Sequence, residues 1–439
     1  MKFGIIGAGA TGLAAAYDLS NRGHEVKIFE SSDFIGGHAS TFEVAGTELE
    51  KGYHHWFTND DQILSLIKEI GLHEIIEWFP SSVGTYQDGR IYSFLTALDL
   101  MKFRPLGLLN RVRMGLSSLK IRYIKDWQRL ESISAKEWLI QNTNQEIYDS
   151  FWEPMLRGKF GEKNHDKISM AWIWGKMTTR FASRKNPFAK EVLGYPKGSF
   201  SNLFQKLAES CEGNATEIFL STRINEIRGL DSGHISMSIG QENSDEVFDA
   251  VIASTPSHIF NMITEGLAEE YRTKLVNINY MAAVLIILVM DRPLSDVYWL
   301  NIADRSIPFI GLIEHTNLVG SEMYGGKSIV YLSNYLEETD PMYKMDAEEL
   351  FNTYLPHLEK INPNFDRKWV KEYHHYKIPN AQPVVDTNYS QNIPAHETGI
   401  RNLYLANTSQ VYPQDRGTNY SVAMGRKMAA LALENLKIK

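Results

Sequence analysis

One cysteine, Cys211, stands in a chain of 439 residues. No intramolecular disulfide can form, and a cysteine-based zinc site is excluded. A reducing cytoplasm is the simplest home for such a chain. Long apolar runs are missing as well. The longest lies within residues 280–290, far short of the ~20 residues that a spanning helix needs. Its valines and isoleucines suit a buried strand instead. No cleavage-type small-residue site follows an apolar core at the start, so no signal peptide is expected. There is no excess of positive charge: 45 Lys and Arg stand against 53 Asp and Glu, a net charge of −8. The whole molecule therefore has no electrostatic reason to seek nucleic acid or anionic lipid. No internal repeat and no low-complexity linker divides the chain.

What is present reads as an ordinary globular protein, 43% hydrophobic and 22% charged. The length calls for two or three packed units. Residues 2–6 read as a short buried strand, 10–22 as a small-residue helix ended by Gly23, and 25–30 as a second strand. Residues 60–71 form a helix with apolar positions 63, 66, 67 and 70 on one face. Helical patterns dominate 95–190, and another helix covers 200–210. Strands are expected at 218–228, 247–254, 280–290, 328–335 and 403–406. A helix is expected near 346–360 and a last one over 419–436.

Between the first strand and helix lies Gly7-Ala8-Gly9-Ala10-Thr11-Gly12. Gly7 permits a tight turn, Gly9 lets the backbone approach a pyrophosphate, and Gly12 allows close helix–strand packing. Phosphates would then meet free N–H groups at the positive end of the helix, with Ala10 and Thr11 in its first turn. Glu30 ends the second strand, where a carboxylate can accept hydrogen bonds from both ribose hydroxyls. Together these elements predict a dinucleotide site without choosing between FAD and NAD.

Six residues beyond Glu30 begins Gly36-Gly37-His38-Ala39-Ser40-Thr41. Here the sequence resembles the amine oxidase, phytoene desaturase and protoporphyrinogen oxidase group of flavoproteins, in which Gly-Gly-Arg follows the ribose-binding acid. Gly36 and Gly37 match, and His38 replaces the Arg. The resemblance recurs in Tyr195-Pro196-Lys197-Gly198-Ser199, in Ser221-Thr222-Arg223-Ile224 where the family meets adenine, and in the strand before Ser254-Thr255-Pro256. It recurs again in Leu403 to Asn407, where Asn407 and Thr408 replace the usual Gly-Asp. Gly417-Thr418-Asn419-Tyr420 then opens the final helix, whose positive end would favour a reduced, anionic flavin ring. The resemblance implies FAD, and a cofactor set of Gly7, Gly9, Ala10, Thr11, Gly12, Glu30, Gly36, Gly37, His38, Ile224, Asn407, Gly417, Thr418, Asn419 and Tyr420.

On the substrate side, Gly52-Tyr53-His54-His55-Trp56-Phe57-Thr58 joins two histidines with three aromatics. An imidazole can relay a proton or polarise a substrate oxygen, so His54 and His55 are the candidate catalytic pair. Adjacent strand residues point to opposite faces, which argues against a shared metal. Trp56, His315 and Tyr376 are candidate substrate contacts, each a polar or aromatic group suited to a pocket. Glu314, and His374 and His375 before Gln382, are further candidate linings. The 52–58 segment also resembles UDP-galactopyranose mutases at Gly52, His54 and Thr58. With no G-x-S-x-G and no H-E-x-x-H, the chemistry would belong to the flavin.

Residues 100–125 hold seven basic side chains and no acid, with leucines and methionines between. They read as a solvated helical face or as a weak contact for a lipid surface. Pro105 and Gly107 break any long helix there.

The expectation is an α/β protein with a discontinuous doubly wound FAD-binding domain and an inserted substrate domain of mixed sheet plus helices. The FAD-binding domain would span 1–90, 190–270 and 395–439. The substrate domain would join helices from 91–189 to a sheet from 275–394. The expected function is an FAD-dependent oxidoreductase moving hydride from a small-molecule substrate to flavin. The alternatives are a non-redox sugar-nucleotide mutase and a non-catalytic binding protein on the same scaffold.

Overall fold

The computed structural model describes residues 1–184, 189–213 and 215–437. A five-stranded parallel sheet collects strands from across the whole chain. Its order is Thr216–Phe219, Glu25–Phe29, Lys2–Ile6, Ala250–Ala253 and Leu403–Leu405. Every neighbour in it is parallel, so each connection must cross over a face and cover it. The opening helix Ala10–Ser20, the helix Phe200–Glu212 and the terminal helix Thr418–Lys437 cover one face. The other carries an antiparallel sheet of Ile224–Gly229, Ile235–Ile239 and Ser244–Phe248, with the helices Ser257–Ile263 and Glu269–Val276.

A second sheet of seven strands runs Val370–Pro383, Tyr280–Met290, Ser328–Leu336, Gly311–Glu314, Trp299–Ile302, Val83–Gln87 and Arg90–Ser93. Its longest apolar strand shows why it is apolar throughout. Val284, Ile286, Leu288 and Met290 pack into a core on one face, while Ala283, Leu285, Ile287 and Val289 pack into another. A strand covered on both faces has no polar side to show. Helices between Ala97 and Ala182 bury a third core around Trp138, Trp152 and Trp172. No helix among the described residues is long and apolar enough to cross a membrane.

Several elements depart from expectation. The strand expected over 218–228 is two strands in different sheets, Thr216–Phe219 and Ile224–Gly229. Ser221 turns the chain between them with φ at +50°. The strand expected over 247–254 divides likewise at Asp249, whose Oδ2 accepts the backbone N–H of Lys2 at 2.8 Å. The large sheet also draws on residues before 275, because Val83–Gln87 pairs in parallel with Trp299–Ile302. Gly23 adopts the left-handed conformation expected of a helix terminator, φ +78°.

Candidate active site

The opening helix starts at Gly9 with no side-chain cap, so its first N–H groups are free for a ligand. Gly36 donates its backbone N–H to the Ala8 carbonyl at 2.9 Å, which lays the second glycine pair against the first turn. A Cβ on Gly37 would approach Gly9 Cα to 3.3 Å, and Gly36 and Gly37 have φ of +97° and +58°. Side chains are therefore excluded here by backbone contact and by conformation. Gly12 is constrained differently. A Cβ there would stand 1.9 Å from the Gly7 carbonyl oxygen, the close helix–strand packing expected of it.

Around these turns lies a cavity of about 410 Å³, within the range of small-molecule sites. Gly7, Gly9, Ala10, Thr11, Glu30, Gly36, Gly37, His38, His54, Ile224, Asn407, Gly417 and Thr418 line it. Residues far apart in sequence thus share one hollow. Glu30 Oε2 accepts from the Ala8 N–H at 2.9 Å and Oε1 from the Ser32 N–H at 2.8 Å. The carboxylate is thereby fixed at the cavity edge with further lone pairs to offer. Asn407 donates to the Thr255 carbonyl and to Ser257 Oγ, which holds the loop in place of the usual Gly-Asp.

Three expected cofactor contacts lie outside the lining: Gly12, whose role is packing, Asn419 and Tyr420. Asn419 Oδ1 accepts from the N–H groups of Gln62 and Ile63 at 2.9 and 3.2 Å, so it caps the helix Asp61–Glu69. Tyr420 turns its hydroxyl to Thr179 Oγ1 at 3.4 Å. Ser421 lines the cavity instead. Arg416 and Thr255, which fall within the resembled segments but are given no cofactor role by the sequence, both line it. Arg416 Nε and Thr255 Oγ1 are buried without a hydrogen-bond partner, as groups awaiting a polar ligand would be. The available signal was a cation directly before Gly417-Thr418.

His38 stands where the resembled family has Arg. Burial foremost, and the nearby Arg416 charge, hold its imidazole down to about 4. It is neutral at neutral pH, so the fixed positive charges on this cavity are those of Arg223 and Arg416, the latter donating from Nη2 to the Tyr335 hydroxyl at 2.8 Å.

The histidine pair separates. His54 lines the cavity, and its Nδ1 must donate to the Gly52 carbonyl at 2.6 Å. Burial holds its titration down to about 4, so Nε2 is a lone-pair acceptor at neutral pH. His55 lies outside the lining, with Nδ1 3.0 Å from the Tyr298 hydroxyl and the Phe57 and Trp299 rings beside it. Burial first, and then Arg180, lower it to about 3.

Two of the three expected substrate contacts, Trp56 and His315, need correction. Trp56 is fully buried and donates from Nε1 to Thr418 Oγ1 at 3.1 Å. It anchors the start of the terminal helix instead of meeting substrate. His315, 2% exposed, bonds the Tyr324 hydroxyl at 2.9 Å inside the core. Glu314 is buried too and accepts the N–H groups of Leu294 and Ser295. Tyr376 packs on Phe42 at 4.8 Å between ring centres and lies outside the lining. His374 also packs on Phe42.

Beside the start of the terminal helix sits a charged knot that the sequence did not announce. Asp415 Oδ2 accepts from Lys159 Nζ at 2.6 Å and from Lys176 Nζ at 3.1 Å. Burial opposes the Asp415 charge, but the two lysines and Arg416 hold its carboxyl well below the usual range. Burial lowers Lys176 to about 8. Among the described residues no group of three or more His, Cys, Asp or Glu could hold a metal ion.

A parallel sheet with a glycine-rich turn, a fixed acid and a second glycine pair on one cavity defines a protein of the dinucleotide-binding class. More particularly, the chain belongs to the family described as flavin-containing amine oxidoreductase, whose model matches residues 10–414. The protein is an FAD-dependent oxidoreductase of that family. The 15-cis-phytoene desaturase of an Oncidium hybrid cultivar is 24% identical over 449 residues, covering 93% of this chain and 74% of the relative. Wild-type putrescine oxidase bound to putrescine has the same fold, with a TM-score of 0.76 at 16% identity over 99% of both chains. Reduced UDP-galactopyranose mutase is as similar in fold, 0.78 at 17% identity, over 99% of this chain and 95% of that one. Likeness at that identity concerns the fold alone. The family assignment favours redox chemistry over the mutase alternative.

Proposed function

We propose that this chain oxidises a small organic substrate by passing hydride to FAD in the 410 Å³ cavity, with oxygen or another acceptor taking the electrons onward. The observation that carries this reading is the convergence of both glycine turns, Glu30, Arg416 and the start of the terminal helix on that one hollow. Bound FAD supplies a two-electron acceptor. The chain supplies position and electrostatics. Gly9 would leave room for the pyrophosphate against the free N–H groups of the opening helix, and Gly7, Gly36 and Gly37 shape the turns around it with positive φ. Glu30 would accept the adenosine ribose hydroxyls, with Thr222, Arg223 and Ile224 beside it. Arg416, Gly417, Thr418 and Ser421 would face the flavin end, where a cation and a helix start favour negative charge on the ring.

His54 sits on the same cavity, but with its titration near 4 it is a poor general base at neutral pH. We assign it the acceptor role: Nε2 would orient an N–H or O–H of the substrate, whose proton leaves to solvent as the C–H bond breaks. His55 would act on His54 only by supporting the segment. The cofactor unit is assigned to 1–90, 190–270 and 395–439, except that strands Val83–Gln87 and Arg90–Ser93 go with the substrate sheet.

The test is anaerobic mixing of FAD-loaded protein with a panel of candidate substrates, followed by absorbance and product mass. Bleaching of the flavin bands with a product two hydrogens lighter is expected for the true substrate. A product of unchanged oxidation state, formed only with pre-reduced flavin, would contradict the proposal and restore the mutase.

A further inference from the structure

The helix Leu108–Tyr123 has two apolar faces, and only one is covered. Met114, Ser117 and Ile121 face inward and are buried. Leu108, Leu109, Val112, Leu116, Leu119 and Tyr123 face outward, with exposures between 45% and 75%. At helical spacing these six fall within about 100° of the circumference, a continuous stripe. The basic residues flank it. Arg113 and Lys120 lie along one edge and Arg122 along the other, all exposed. The preceding helix Ala97–Lys102 adds Leu98, 69% exposed, and Met101, 39% exposed. Arg111 holds the two helices together, donating from Nη1 to the Met101 carbonyl and from Nε to the Leu106 carbonyl, both at 2.7 Å.

Half of the exposed large hydrophobic side chains among the described residues fall in this one segment. A solvated face would not place leucines outward in a stripe. The charge pattern selects the occupant. The chain as a whole carries −8, yet residues 100–125 carry seven basic side chains and no acid. Cations bordering an apolar strip match the layer where acyl chains meet anionic headgroups. We propose that the helix Leu108–Tyr123 lies in the surface of an anionic lipid bilayer, apolar stripe inward, and docks the protein there reversibly without spanning.

The test is flotation of the full FAD-loaded chain with vesicles of phosphatidylcholine alone, or of phosphatidylcholine containing ~30% phosphatidylglycerol. Binding to the anionic vesicles is expected, at least ~10-fold tighter than to the neutral ones and weakening as salt rises. The double variant Leu109→Asp, Leu116→Asp should lose at least ~10-fold in binding, with its flavin spectrum and unfolding midpoint unchanged because both side chains are already exposed. The double variant Arg113→Gln, Arg122→Gln should lose binding to the anionic vesicles selectively. Absence of flotation with both vesicle types would overturn the proposal. So would undiminished binding of the Leu109→Asp, Leu116→Asp variant. A wild-type dimer that this same variant converts to monomer, without vesicle binding, would show instead that a second copy covers the stripe.

Discussion

Gly9 and Gly12 belong to one motif and answer to different neighbours. A Cβ on Gly12 would strike the Gly7 carbonyl, whereas one on Gly9 would find its nearest protein atom at 3.7 Å. Gly9 also has an ordinary φ of −82°, so the fold itself tolerates a side chain there. Gly9→Leu should therefore leave the unfolding midpoint of the apoprotein unchanged while weakening FAD at least ~100-fold, about 3 kcal/mol. Gly12→Ala should destabilise the apoprotein by about 2 kcal/mol or more through overpacking. Denaturant titration beside flavin titration separates the two. His315 gives a pH signature. Burial lowers it from 6.5 to about 3, so the unfolded chain takes up a proton that the native core refuses. Its contribution is complete above pH 6.5 and is lost as pH falls through that window. Wild type should lose about 2 kcal/mol relative to His315→Gln between pH 6.5 and about 5. Glu50 acts in the opposite sense, raised from 4.5 to about 7 by burial, with stability complete below 4.5 and lost as pH rises. The comparison is therefore made between variants, not on a raw profile. At this scale the glycines and Glu30 were legible because their roles are backbone roles tied to local order. Trp56 and His315 were not, because an aromatic or imidazole reads alike in a pocket and in a core. Only the partners that folding supplies, such as Thr418 for Trp56 and Tyr324 for His315, decide between the two.

The terminal helix shows what holds an element to its site. Gly425 brings it onto the opening helix so closely that a Cβ would stand 2.2 Å from the Thr11 carbonyl oxygen. Gly425→Val should push the two helices apart, costing about 2 kcal/mol or more and flavin retention with it. Asp415 ties the helices Glu153–Phe160 and Met170–Ala182 to the chain just before the terminal helix. Asp415→Asn leaves both lysines facing Arg416 without their counter-charge. A stability loss of about 3 kcal/mol is expected at neutral pH, partly recovered by adding Lys176→Met; chemical denaturation measures both. The long periodic elements were readable in the sequence. The strands near 218–228 and 247–254 were not separable, because the β-pattern runs on through the turn while the pairing partners change. The strands at 83–93 carry too short a pattern to reveal a partner more than two hundred residues away.

At the scale of the whole molecule, the discontinuous cofactor unit was foreseeable, since mononucleotide pieces recur at the start, middle and end of the chain. The parallel sheet joins Lys2–Ile6, Ala250–Ala253 and Leu403–Leu405 side by side, and only that arrangement brings Gly9, Glu30 and Gly417 to one hollow. What sequence patterning left open was which side chains enter it, because that depends on how the seven-stranded sheet and the helices close against the parallel one. The most direct measurement is the visible spectrum of the purified full chain before and after anaerobic reduction by dithionite. One FAD per chain, with oxidised-flavin bands that bleach and return in air, is the predicted result. A colourless protein that acquires no flavin bands when FAD is added would contradict it.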